Sequence, residues 1–267
     1  MPMRYGRSLK TSVALPSMTA LAVVAGLFAT TASADEQDAR RIFQEMSDYM
    51  AAQTAFSFTY DATLDLVTPE EQTLTLASSG TVSVARPDKM AATRTGGFAD
   101  VEMVFDGKTM TFVAKSANAY GEIDVPGDID NLIDTLRDTY KRPLPAADLL
   151  MADVNAQLMP LVTDVKDLGS GVVGGIECNH FAFRTDDVDW QIWIAVGDAP
   201  HPCRYTISSK TVGGSPQYTM VVSDWKAGAD AVGSDFTAVI PDGATKVDAN
   251  AIADKLPDNF TLTGDAK

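Results

Sequence analysis

Two cysteines, two histidines and a run of three aspartates are the residues with which this 267-residue chain could do chemistry. A Ser-His-Asp or Cys-His site would have to use His180 or His201, because there is no other imidazole. His180 shares a strand register with Cys178 and Ala182, on the face opposite Phe181 and Phe183. His201 lies in a Pro-flanked turn. Both are expected to be structural or exposed. Cys178-x-His180 and His201-x-Cys203 set ligands too close together for the usual zinc spacings. Asp186-Asp187-x-Asp189 gathers carboxylates in a turn but lacks the Gly and terminal Glu of a calcium loop. Gly96-Gly97 and Gly174-Gly175 are turn or bulge glycines, not a phosphate cradle between strand and helix. No catalytic residue, metal or cofactor is therefore expected, and a hydrolase is the remote alternative.

The compartment is written at the amino terminus. Arg4, Arg7 and Lys10 precede an apolar stretch from Val13 to Ala29, and Ala32-Ser33-Ala34 forms a small-x-small junction before Asp35. This order is that of a cleavable secretory signal, residues 1–34, rather than a membrane span. Cleavage between Ala34 and Asp35 leaves no transmembrane anchor and an exported, periplasmic chain. Loss of three basic residues leaves 18 basic against 36 acidic, a net charge of −18. Such a chain does not bind nucleic acid by neutralising phosphates, and an anionic lipid surface repels it. In an oxidising compartment Cys178 and Cys203 are expected to pair, the alternative being two buried thiols. Their strands are not nearest neighbours in a meander, so one Cys must leave its ladder. Pro202 makes Cys203 the candidate.

Residues 36–52 carry Ala39, Ile42, Phe43, Met46, Tyr49 and Met50 on one helical face. After Gln53 the period becomes two: Phe56, Phe58, Tyr60, Ala62, Leu64 and Leu66 alternate with polar residues. Strands follow around Leu74–Val84 and over 89–95, 101–105, 109–114 and 119–125, with Gly96-Gly97 and Asp106-Gly107 as hairpin signals. Helical spacing returns at Ile129, Leu132, Ile133, Leu136 and Tyr140, and a second helix is expected from about Ala146. Strands resume over 163–168, 172–184, 188–196, 203–211 and 216–226. A short strand, a small helix near Ala249–Lys255 and a loosely ordered tail from about 257 close the chain. Residues 35–267 are thus one α+β domain of about eleven antiparallel strands, whose curved sheet must close or have its concave face filled by helices.

The runs Phe56-Ser-Phe-Thr-Tyr60, Arg86-Pro-Asp-Lys89, Arg94-Thr-Gly-Gly-Phe-Ala-Asp100, Phe105-Asp-Gly-Lys-Thr109, Asp189-Trp-Gln-Ile-Trp193 and Pro216-Gln-Tyr218 resemble the DUF2092 family of predicted periplasmic proteins. In layout the chain is similar to the LolA/LolB-like superfamily. That likeness implies a strongly curved, open half-barrel with helices over its concave face, and a lipid or lipoprotein acyl chain as cargo or signal.

A half-barrel with few covering helices leaves room for a ligand. Phe56, Phe58, Tyr60, Leu64, Leu74, Leu76, Met103, Phe105, Met110 and Phe112 are expected to line it, the Met side chains adapting to alkyl chains. Arg94 is expected at the mouth, facing a lipid phosphate or ester. The expected function is a non-enzymatic carrier or sensor of a hydrophobic ligand. The alternative is a module that binds an envelope protein and holds no small ligand.

Overall fold

The computed structural model describes residues 31–97, 99–233 and 235–248. Residues 1–30 of the expected signal, the helix expected near Ala249–Lys255 and the tail beyond 257 lie outside the described residues.

Helix α1 (Thr31–Ala52) starts one turn before the expected cleavage point. Its inner stripe is Ala39, Phe43, Met46 and Met50, all fully buried. Its outer face carries i,i+3 and i,i+4 ion pairs, Arg40 with Glu36 and Arg41 with Asp38 and Glu45. Ser47 ties α1 to a later element, accepting from the Asn155 amide at 3.1 Å.

Six strands form a first meander: β1 (Ala55–Val67), β2 (Thr73–Ala85), β3 (Lys89–Gly96), β4 (Ala99–Phe105), β5 (Thr109–Ala114) and β6 (Ala119–Asp124). Helix α2 (Ile129–Asp138) follows, capped by Asp128, whose carboxylate accepts from the Asn131 amide at 2.9 Å. Its buried face is Ile129, Leu132, Ile133 and Leu136. The helix expected from Ala146 is instead a 3-10 turn (Ala147–Leu150) and a short α3 (Val154–Leu158). Asp153 starts α3 by accepting from the Ala156 amide, which divides the segment.

The second meander is β7 (Asp164–Val173), β8 (Ile176–Arg184), β9 (Val188–Ala195), β10 (Pro202–Ser209) and β11 (Gln217–Ala227). Where the sequence suggests a break at Gly169–Gly171, β7 runs through with a register shift between Asp167 and Ser170. The hairpin falls at Gly174-Gly175, whose φ of 58° and 86° suit the tight turn. A two-residue β12 (Thr245–Lys246) pairs parallel to β6, so the sheet has twelve strands, not eleven, and one parallel pair.

The sheet order is β12-β6-β5-β4-β3-β2-β1-β11-β10-β9-β8-β7. The two meanders meet where β11 returns to pair with β1, and the sheet stays open, with β12 and β7 at its ends. Its concave face is filled by α1, α2 and the Ala147–Leu150 turn. Phe43 sits against Phe183 and Trp190, with ring centroids at 5.5 and 5.4 Å. Burial of such a ring stabilises by about 1.5–3 kcal/mol.

Candidate functional site

The concave face is not completely filled. Two cavities lie beneath the Pro143–Ala147 segment and share Leu144, Pro145 and Ala146 as a common wall.

The narrower cavity is about 100 Å³. Phe58, Tyr60 and Met103 come from the sheet, Leu132 and Leu136 from α2, and Trp225 from β11. Two local irregularities set these walls. The register between β1 and β11 shifts by one residue between Ser57 and Thr59. The extra residue is accommodated around Asp224, at φ 51°. This bulge re-aims the strand, so that Trp225 follows Val222 onto the concave face. There Trp225 stacks on Phe56 and Phe58 at 5.2 and 5.9 Å, and its Nε1 donates to the Tyr49 hydroxyl at 3.4 Å. The second irregularity is in β2–β3, where the ladder opens between the Ser79/Thr95 and Val82/Ala92 pairs. The Tyr60 hydroxyl donates to the freed Thr93 carbonyl, and the Thr81 amide donates to Thr93 Oγ1. Burial pushes the Tyr60 hydroxyl up, with Arg94 pulling it partly back.

The wider cavity, about 630 Å³, runs from the same segment toward the β8–β9 turn. Leu158 and Leu161 wall one side, Trp190 and Ile207 another. Tyr205 and Asp148 supply polar groups. Burial raises both of these acids, and Asp148 adds to the rise at Tyr205.

The structure distributes the residues expected at the ligand. Phe58, Tyr60 and Met103 line the narrower cavity. Phe56, Phe105 and Met110 are fully buried in the core, and Phe112 packs half-buried against it. Leu64, Leu74 and Leu76 are half-buried toward the β1–β2 tip, outside the walls of these two cavities. Arg94 is half-buried on β3, where its charge reaches Tyr60 and Tyr218; it is not among the residues of either cavity. Trp225, Asp148 and Tyr205 were not expected. A signal existed for Trp225: the apolar phase Met220, Val222, Trp225 slips by one residue.

The residues with chemical potential sit apart from the cavities or are tied up. His180 lies on the other face of the sheet, stacked on Trp193 at 3.8 Å, with Nε2 at 2.9 Å from Gln191 Oε1. His201 stacks on Trp225 at 4.9 Å, with Nδ1 at 2.8 Å from the Ala199 carbonyl. Burial lowers the pKa of both. Asp189 is held by Arg184 through two bonds of 2.8 and 2.9 Å. Among the described residues no group of three or more His, Cys, Asp or Glu could hold a metal. Cys178 and Cys203 are free thiols in this structure, buried with Ala195 in a satellite cluster. Cys203 falls at the register shift between Pro202 and Arg204; Cys178 Sγ donates to the Ile176 carbonyl at 3.4 Å and Cys203 Sγ to the His201 carbonyl at 3.9 Å. Burial is the first cause that raises each of them.

Fold and site together define an open, curved antiparallel sheet whose helix-covered concave face keeps apolar space. The chain belongs to the DUF2092 family of predicted periplasmic proteins, whose profile matches residues 39–250, and the periplasm is accordingly its compartment. No curated protein matches the chain. Among solved structures it is similar to the lipoprotein LppX of Mycobacterium tuberculosis, at 15% identity and TM-score 0.45, over 75% of this chain and 100% of that one. It is also similar to an uncharacterized conserved protein of Thermus thermophilus, at 12% and 0.48, over 79% and 99%. A LolA superfamily protein of Nitrosomonas europaea matches at 10% and 0.37, over 75% and 97%. Among the described residues no helix is long and apolar enough to cross a membrane.

Proposed function

We propose that this protein is a non-enzymatic periplasmic carrier or sensor of a hydrophobic ligand, a lipid or a lipoprotein acyl chain. The observation that supports this is the pair of cavities that share Leu144–Ala146 as a wall, one apolar and narrow, the other wide enough for a small amphiphile. Met90, Met103 and Met220 in the narrow wall adapt to an alkyl chain of variable length. Native mass spectrometry of protein purified from a periplasmic extract tests it. A co-purifying acyl species is the expected result. A clean apo mass, together with no binding of a long-chain probe to folded protein, would refute it.

A second reading has its own support. Among the described residues β7 pairs on one side only, with β8, and Leu168 and Val172 on it are 50% and 72% exposed. Apolar side chains on an open edge favour pairing with another strand. A protein that co-purifies with an apo chain, and is lost on Val172→Lys, would favour the interaction module.

A further inference from the structure

The wider cavity carries an unusual polar pair. Tyr205 on β10 is 2% exposed and lines the cavity. Its ring is fixed by Trp190 at 5.8 Å. Asp148 lines the same cavity from the Ala147–Leu150 turn, near enough to act electrostatically on Tyr205. The third polar feature is charge. The other ionic groups on the walls are Asp187 and Arg137, and Arg137 is held by Asp134 at 2.5 Å and Asp138 at 3.0 Å. The remaining polar groups on these walls are neutral, Gln157, Thr185, Ser209 and Thr211, set among Leu158, Val188, Trp190 and Ile207.

Resting on the carrier reading above, we propose that the wider cavity is a head-group subsite for an uncharged, hydroxyl-bearing amphiphile of the acylglycerol class. Tyr205 donates to the ester carbonyl, Asp148 accepts from a glycerol hydroxyl, and the acyl chain passes beneath Pro145 and Ala146 into the narrower cavity. The polar pair orients the ligand.

Displacement of the apolar dye 1-N-phenylnaphthylamine from the purified chain tests this, with 1-monooleoylglycerol and oleate as competitors at pH 8. Tyr205→Phe is expected to weaken the glyceride about threefold to tenfold and to leave the dye's own affinity unchanged, because one neutral hydrogen bond is lost. Asp148→Asn is the second variant, and the comparison of glyceride with oleate on the unaltered protein needs no variant at all. Oleate is expected to bind about tenfold more weakly than the glyceride, because its carboxylate meets Asp148. Equal affinities for the two competitors, or unchanged glyceride affinity in both variants while the dye still binds, would overturn the subsite and leave the carrier reading standing. Failure of dye and glyceride alike to bind the folded chain would overturn both.

Discussion

Tyr60 on β1 bridges β2 to bond β3: its hydroxyl donates to the Thr93 carbonyl at 2.9 Å. The residue it crosses is Gly80, where an added Cβ would lie 1.9 Å from that carbonyl oxygen and 2.7 Å from the Tyr60 ring. Gly80 is required here for close approach. Gly80→Ala is expected to destabilise the fold by about 1–3 kcal/mol, the range for overpacking. Urea unfolding checks it: the midpoint should fall with the slope unchanged. Wild-type stability in that variant would show that Tyr60 is not held as described.

Met103 stands half-buried on the wall of the narrower cavity, opposite Ala92 on β3 and Phe112 on β5. Met103→Asp would set a carboxylate against that apolar surface. Binding of a hydrophobic probe is expected to weaken by about tenfold or more, roughly 1.4 kcal/mol, while far-UV circular dichroism is retained. Probe affinity equal to wild type would remove the narrow cavity from the binding path.

Cys178 and Cys203 share one small buried cluster across β9, where the register shift after Pro202 takes Cys203 out of its ladder. Oxidation in the periplasm is expected to join them. By the chain-entropy model, closing a loop of about 25 residues stabilises by roughly 3.5 kcal/mol. Alkylation of denatured, periplasmically expressed protein should find no free thiol, and reduction should lower the melting temperature without abolishing probe binding in the cold. Two reactive thiols per chain would sink the expectation.

Asp148 sets a pH dependence. Burial raises its pKa above the usual carboxylate range, against a smaller opposing pull from Arg137. The folded chain therefore holds this proton more tightly than the unfolded one. Its contribution to stability is full below the unfolded value, about 3.9, and is lost as pH rises through the higher folded value. Asp148→Asn cannot ionise, so it is expected to melt above wild type at pH 7, with the gap closing toward about pH 3.5. His180 and His201, lowered by burial, destabilise on the acid side, but equally in both chains. Melting curves at the two pH values decide it. No gap at pH 7 would mean the carboxyl is not desolvated.

Local pattern was enough for much of this protein. Period-two alternation from Phe56 to Leu66 marked the concave face of β1, and Ala39, Phe43, Met46 and Met50 marked the buried stripe of α1. Residues 109–114 were legible to the residue as β5. The order of residues before Asp35 pointed to export, and the family profile is that of a predicted periplasmic protein. What the tertiary structure alone decided is where the space lies. Phe56 and Phe105 share the alternation of Phe58 and Met103, yet the first two are wholly enclosed and the last two wall a cavity. A strand's period reports which face a side chain takes, not whether a helix lands on it. The Asp224 bulge turned Trp225 inward, and the Pro143–Ala147 segment brought Asp148 beside Tyr205, 57 residues away in the chain. Those meetings depend on chain closure over long separations, chiefly the return of β11 to β1, and no local periodicity encodes them.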